Sequence, residues 1–330
     1  MTLEVWLPTG LADHAKITVH GWPPMKQDAR PSFFIATPTI AEERFFPQVV
    51  KSVALQTLSP MLWVVLDQSA SSYASRAIER SEDAVPSTVV ISRPSARYDW
   101  LAIGGLISSV FRFAYPVLSE LNLAPDFAAV VDGDMAPEPT YFETLARHFQ
   151  SNPRLGTASG VILVQHGSSW APESKGTGPR GGARMYRSQC LLEIGGFPET
   201  PSPETVFDIK ASGRGWKAAA VDDARCLGLR ETFGTEKRAR TFAAFGKGRY
   251  MLNYHPIPAF ATMGLLVLTE GPEAAMGFII GYLGAWLTGE TKVQDAEIRL
   301  YFGTAWKSRG LASSMRAAVR YIRSQGNSEH

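Results

Sequence analysis

Asp132 and Asp134 stand one residue apart, with Gly133 between them, at the end of the apolar run Phe127-Ala128-Ala129-Val130-Val131. The run reads as a buried strand that opens into a turn at Gly133. Both carboxylates then point the same way, where a hard divalent cation could sit between them and a phosphate. Asp-x-Asp also occurs in solvated turns and calcium loops, so alone the pair marks only a cation site. Asp67 follows a second apolar run, residues 61–66, and either accepts a hydrogen bond from a ligand or caps its strand. Other chemistries lack their residues. No two histidines have zinc-ligand spacing. Gly176-Thr177-Gly178-Pro179-Arg180-Gly181-Gly182 lacks the Gly-Lys-Ser/Thr ending of a phosphate-binding P-loop. Cys190 and Cys226, the only cysteines, make neither a disulfide framework nor a zinc site and suit a reducing compartment.

The elements that must position these groups follow from periodicity. Strand patterns cover residues 32–37, 61–66, 87–91 and 127–131, and helical patterns cover 41–58, 73–81 and 100–118. Such alternation predicts an α/β layer fold with a largely parallel sheet. Further on, helices are expected at 141–150, 187–194 and 205–212, and strands at 157–164 and 217–221. Residues 166–183, rich in Gly, Ser and Pro, read as a long loop. After residue 230 the strand signal ends and the chain reads as helical. The expected organisation is an N-terminal extension over 1–30 with room for one short hairpin, a catalytic domain over 31–230 with a nucleotide-binding half at 31–135 and an acceptor half at 136–230, and a helical, membrane-surface segment over 231–330.

The 330 residues are 45% hydrophobic and 19% charged, enough apolar content for a sizeable core. A net charge of +2 carries no nucleic-acid signature. No basic stretch followed by an apolar run opens the chain, so no secretory signal is expected. Residues 257–269 and 274–288 are apolar, separated by Glu270-Gly271-Pro272-Glu273. Each run is shorter than the roughly 20 residues that span a bilayer as a helix. Residues 299–323 hold six basic side chains and no acid, with Met315, Val319 and Ile322 on one helical face and Arg316, Arg320 and Arg323 on another. This pattern suits an anionic cytoplasmic leaflet, and a solvated helix packed on the core is the alternative. The expectation is a cytoplasmic protein in peripheral contact with the membrane through residues 257–323.

Several segments together carry a family likeness. They are Lys51-Ser52-Val53-Ala54-Leu55-Gln56-Thr57, then Leu62-Trp63-Val64-Val65-Leu66-Asp67-Gln68-Ser69, then Asp132-Gly133-Asp134. Gly182-Ala183-Arg184-Met185-Tyr186-Arg187 follows, with Ile194-Gly195-Gly196-Phe197, and then Pro203-Glu204-Thr205-Val206-Phe207 with Gly215-Trp216-Lys217. In this order they resemble the motifs of family 2 glycosyltransferases, including bacterial envelope and exopolysaccharide enzymes, over residues 33–222. The resemblance implies a GT-A fold, with a mostly parallel mixed sheet flanked by helices. It implies inverting, metal-dependent transfer of a sugar from a nucleotide diphosphate donor to a hydroxyl of a glycan or lipid-linked acceptor. Asp134 and Asp132 would hold Mn2+ or Mg2+, with Asp132 toward the ribose or the metal. Asp67 would meet the base, with Thr37 and Pro38 beside the nucleotide. Gly133 and Gly182 belong to the donor-site motifs, and Arg97 lines that site or lies on the surface. Glu204 would be the general base, or Asp208 under another alignment. Leu66, Gln68 and Pro203 depart from the pattern. The histidine often found after the last core strand is absent from Arg225-Cys226-Leu227-Gly228-Leu229-Arg230, and the Q-x-x-R-W pattern of processive synthases is absent too. A nucleotidyltransferase, or a catalytically impaired binding homologue, are the alternative readings.

Overall fold

Strands that are apolar without interruption are strands covered on both faces, and three such runs build the centre of the sheet. The structure is a computed structural model that describes residues 18–20, 30–69, 71, 73–81, 88–92, 105–166, 169–173, 178–230 and 235–305. Its elements run β1 (Thr18–His20), β2 (Phe33–Thr39), α1 (Phe46–Ala54), β3 (Leu62–Asp67), α2 (Tyr73–Glu79), β4 (Thr88–Ser92), α3 (Gly105–Glu120) and β5 (Phe127–Val131). Then come β6 (Met135–Pro137), α4 (Tyr141–Ser151), β7 (Leu155–His166), β8 (Ser169–Pro172), β9 (Ala183–Arg187), α5 (Ser188–Glu193), α6 (Pro203–Gly213) and β10 (Lys217–Gly228). Helices α7 (Thr235–Met251), α8 (Pro256–Thr269), α9 (Pro272–Leu287) and α10 (Ala296–Ala305) complete the chain.

Two compact units emerge. The first comprises Met1–Trp100, Gly105–Glu199 and Ala211–Glu231; the second comprises Leu101–Gly104, Thr200–Lys210 and Thr232–His330. The first unit holds the whole sheet, in the order β1-β4-β3-β2-β5-β9-β7-β10-β6, with β8 paired to β7. Strands β4, β3, β2 and β5 are parallel neighbours. β9 lies antiparallel to both β5 and β7, and β10 returns parallel to β7. The α/β expectation is met, with parallel pairing concentrated in the N-terminal half. Every residue of β2, β3 and β5 is buried. α1 covers this half with Phe46, Val49, Val50 and Val53 at helical spacing, and a proline stands in its first turn, where a missing N–H costs nothing.

Three local differences from the sequence reading have plain causes. The expected loop over 166–183 begins as a hairpin, because β8 pairs with the last residues of β7. β10 extends seven residues past the expected 217–221, since a register shift between Val221 and Arg225 absorbs the polar Asp222-Asp223 step. β6 is too short to show a period and forms because β10 offers it an antiparallel edge. Of the N-terminal extension only β1 and residue 30 are described; β1 adds a strand to β4.

Tyr141 ties the antiparallel half together. It is fully buried, its hydroxyl donates to the Ala183 carbonyl at 2.6 Å, and it accepts from the Gly160 N–H at 2.8 Å. Burial pushes its phenol far up, so it stays neutral and keeps its proton to donate. Tyr141→Phe leaves a buried donor and a buried acceptor without this partner. The expected loss of stability is about 1–3 kcal/mol, read by chemical denaturation, with secondary structure unchanged by circular dichroism.

The second unit is helical. Phe278, Tyr282 and Ala285 of α9 pack with Tyr250 and Ala259, and a second cluster joins Val206, Leu252, Ile298 and Phe302. Among the described residues no helix is long and apolar enough to cross a membrane.

Candidate active site

The parallel register fixes where chemistry can gather. Thr39 pairs with Asp67, and Ala36 with Val130, so the carboxyl ends of β2, β3 and β5 share one edge. Ligands of open α/β sheets bind at such an edge. The turn after β5 is fastened on both sides. The Asp132 N–H donates to the Gly182 carbonyl at 2.7 Å, and the Leu229 N–H donates to the Asp134 carbonyl at 2.9 Å. These bonds place Asp132 and Asp134 between the start of β9 and the end of β10. Gly133 is required by space, because a Cβ there would lie 2.4 Å from Thr39 Oγ1. Gly182 has φ +84°, a left-handed backbone that favours glycine, and a Cβ there would meet Met135 Cε at 2.9 Å and Asp132 Oδ2 at 3.4 Å.

One cation holds the acidic side of this edge. Arg230 Nη2 lies 2.5 Å from Glu42 Oε1, and its Nε lies 2.8 Å from Asp134 Oδ2. The second contact is an ion pair without hydrogen-bond alignment. Glu42 Oε2 in turn accepts from the Ile40 and Ala41 N–H groups at 2.6 and 2.8 Å and from the Thr39 hydroxyl at 2.9 Å. Tyr73 joins through its hydroxyl, which contacts Thr39 and accepts from the Glu42 N–H.

These contacts set opposite protonation tendencies. Burial alone would raise the Glu42 carboxyl, but the two N–H donors, the Thr39 hydroxyl and Arg230 together hold it below its usual 4.5. Burial raises Asp134, and Glu42 adds to the rise; Arg230 offsets only part of it. A buried carboxylate with a residual cost of ionisation favours an added cation. The Cys226 thiol, fully buried and near Asp132 and Asp134, is pushed up and is no nucleophile.

Asp67 ends β3 almost wholly buried. Its Oδ1 accepts from the Ser69 N–H at 2.9 Å, and its Oδ2 has no hydrogen-bond partner among the described residues. Both polar atoms of the Gln68 amide are also buried without hydrogen-bond partners among the described residues. Leaving such groups unpaired costs about 1–3 kcal/mol each, which a hydrogen-bonding ligand would recover.

The structure sorts the residues expected from sequence. Asp67, Asp132, Gly133, Asp134 and Gly182 come together at one edge of the first unit. Thr37 and Pro38 lie inside β2; the Thr37 hydroxyl accepts from the Trp63 indole at 2.9 Å, and Thr39 is the β2 residue that reaches the acidic cluster. Arg97 lies outside the described residues. Glu204 and Asp208 stand in the first two turns of α6, within the second unit. Sequence reasoning missed Thr39, Glu42, Tyr73 and Arg230. The signal for Arg230 was present, because it occupies the stretch searched for the family's histidine.

A divalent cation fits this donor set. Mg2+-type ions bind through one or two carboxylates completed by substrate phosphates and water. Asp132 and Asp134 supply that pair over a glycine-lined floor. Among the described residues no group of three or more His, Cys, Asp or Glu could hold a metal by itself, so the ligand would have to complete the shell. A hollow of about 770 Å³ lined by Phe111, Tyr115, Leu191 and Phe197 lies at the opposite end of β5, beside Pro125, and contains none of these carboxylates.

No family model matches the chain, and no curated protein matches it. Solved structures show remote likenesses. The mannosyltransferase PcManGT from Pyrobaculum calidifontis, in complex with GDP-Man and Mn2+, is 16% identical over 89% of this chain and 87% of its own, with a TM-score of 0.49. TarS from S. aureus is 14% identical over 78% of this chain and 44% of its own, with a TM-score of 0.45. Its fragment 1–349 has the same identity and TM-score over 78% of this chain and 72% of its own.

Arg230→Ala strips the countercharge from Glu42 and Asp134. The Arg230 side chain is 37% exposed, so the expected loss is about 1–3 kcal/mol rather than that of a fully buried pair. The pH dependence has a definite sign. Glu42 is depressed in the folded state, so its share of stability is present above its ordinary 4.5 and is lost as pH falls through its lower folded value. Denaturation of wild type and variant should differ most near neutrality and converge in acid.

Proposed function

We propose that this chain is a glycosyltransferase that moves a sugar from a nucleotide diphosphate donor to a hydroxyl of a glycan or lipid-linked acceptor, with inversion. The observation that carries the reading is the gathering of Asp67, Asp132 and Asp134 at one sheet edge, with the buried Asp67 Oδ2 unpaired among the described residues and a fixed guanidinium beside Asp134. The ordered family motifs in the sequence support it as well. Asp67 Oδ2 is the acceptor for an N–H of the base. Asp132 faces the ribose or a metal, and Asp134 is the principal ligand for Mn2+ or Mg2+. When bound, the ion supplies Lewis-acid stabilisation of the departing diphosphate. Arg230 adds fixed positive charge where leaving-group charge develops, a stabilisation that needs no rearrangement.

Transfer then breaks the anomeric carbon–oxygen bond, and its electron pair leaves with the nucleoside diphosphate. The acceptor oxygen attacks from the opposite face, and its proton passes to a carboxylate. The sequence resemblance assigns that base to Glu204, with Asp208 as the alternative. Departure from the family at Leu66, Gln68 and Pro203 makes donor selection a property of this chain's own residues.

A thermal-shift panel of UDP, GDP, CDP and dTDP, with and without Mn2+, tests the donor site. One diphosphate should raise the melting temperature, and more so with Mn2+, because a ligand that binds only the folded state stabilises it. Asp134→Ala should abolish the Mn2+-dependent part of the shift. Glu204→Gln should keep the shift and lower transfer by about 10²–10⁴-fold, the usual share of a general base. Release of pyrophosphate instead of nucleoside diphosphate would indicate nucleotidyl transfer. Mn2+-dependent binding without turnover against any acceptor extract would indicate a binding homologue.

A further inference from the structure

The second unit has a buried core and also carries large apolar side chains on its surface. No charged residue occurs within α8, or within α9 after Glu273. Where the backbones of α9 and α7 meet, the contact residues are small, flanked by the buried rings of Phe278 and Tyr282. A Cβ on Gly277 would lie 2.2 Å from the Ala239 carbonyl oxygen, and one on Gly281 would lie 1.8 Å from that of Ala243. From the α7 side, a Cβ on Gly246 would lie 1.9 Å from the Phe278 carbonyl oxygen. The backbones therefore touch through a small-x-x-x-small stripe, the packing helices use where lipid surrounds them.

A further set of bulky side chains points outward. Met276, Ile280, Trp286 and Leu287 of α9 are 60, 59, 61 and 78% exposed. Ile257, Phe260, Val267 and Leu268 of α8 are 50, 48, 47 and 60% exposed. At about 100° per residue, each set falls on one side of its helix. A helix folded for water places its large apolar residues toward the core and polar ones outside.

We propose that α8 and α9 form a docking surface for an anionic phospholipid bilayer. Helices of 14 and 16 residues reach about 21 and 24 Å, short of the ~30 Å hydrocarbon core. They lie in the interface with their stripes at the acyl boundary. Two of the acids near the helix ends are paired, Glu270 with Arg238 and Glu290 with Lys247, while Glu273 stands in the first turn of α9. Charge selects the occupant. The sequence that follows, residues 299–323, carries six basic residues and no acid. Anionic headgroups neutralise that stretch, whereas a second copy of the chain would bring another of the same sign.

Co-sedimentation of the full chain with phosphatidylglycerol–phosphatidylcholine vesicles, and with phosphatidylcholine alone, tests the proposal. The wild type should pellet with the anionic vesicles and at least tenfold less with the neutral ones. Ile280→Glu with Leu287→Glu should lower the bound fraction at least tenfold at an unchanged melting temperature. Leu268→Glu on α8 should act in the same direction and serves if the double variant fails to fold. No pelleting by the wild type, or equal pelleting by folded variants, overturns the proposal. Light scattering showing a wild-type dimer that these variants dissociate, without vesicle binding, assigns the surface to a second copy instead. None of these readings depends on sugar transfer.

Discussion

Arg230 sits between two carboxylates that the sheet cannot leave together unaided. Glu42 lies just past β2 and Asp134 just past β5, and their side chains are only 10 and 16% exposed. Two such charges repel in a poorly solvated place, and removing either from water costs several kcal/mol before any partner is counted. Arg230, two residues beyond β10, supplies the countercharge. The bond from the Leu229 N–H to the Asp134 carbonyl fixes the backbone that carries it. The guanidinium thus joins the parallel half of the sheet to the antiparallel half at the edge where ligands bind. A planar fork can meet two carboxylates at once, which a lysine ammonium does not do in the same geometry.

The division of labour around that bridge is unequal. Glu42 is satisfied several times over, by two N–H groups, a hydroxyl and the arginine. Asp134 keeps a cost of ionisation, and Asp67 keeps an oxygen unpaired among the described residues. A residue that served stability alone would be expected to resemble Glu42. Asp134 and Asp67 instead hold unspent hydrogen-bonding and charge capacity, which is where a ligand gains affinity. This contrast separates scaffold from candidate site more sharply than carboxylate identity does.

The strands and the Asp-x-Asp turn were legible because their signals are local. Apolar runs at 33–36, 62–66 and 127–131 leave little choice but buried strands, and an Asp-Gly-Asp step after one of them marks its exit. What stayed hidden depends on distance along the chain. Glu42 looks like an ordinary acid near the start of a helix, and its partner is 188 residues away. Tyr73 reads as one apolar position of α2 until its hydroxyl is seen against Thr39. Thr37 and Thr39 share a strand face by period, yet Trp63 claims the first hydroxyl and Glu42 the second. Nothing in the run 33–39 distinguishes them.

The second unit shows why composition alone could not settle its role. Two apolar runs of this length suit a buried hairpin as well as a surface one, and the sequence offers both. The glycines decide between them. Gly277 and Gly281 are four residues apart, so they share a face, and that face meets α7 backbone at distances no side chain could occupy. Phe278 and Tyr282, each one residue after a glycine, flank that contact and are buried. Met276 and Ile280, each one residue before a glycine, are turned about 100° away from that contact. The outward placement of Met276 and Ile280 follows from the close approach inside, so their exposure is a consequence of the packing.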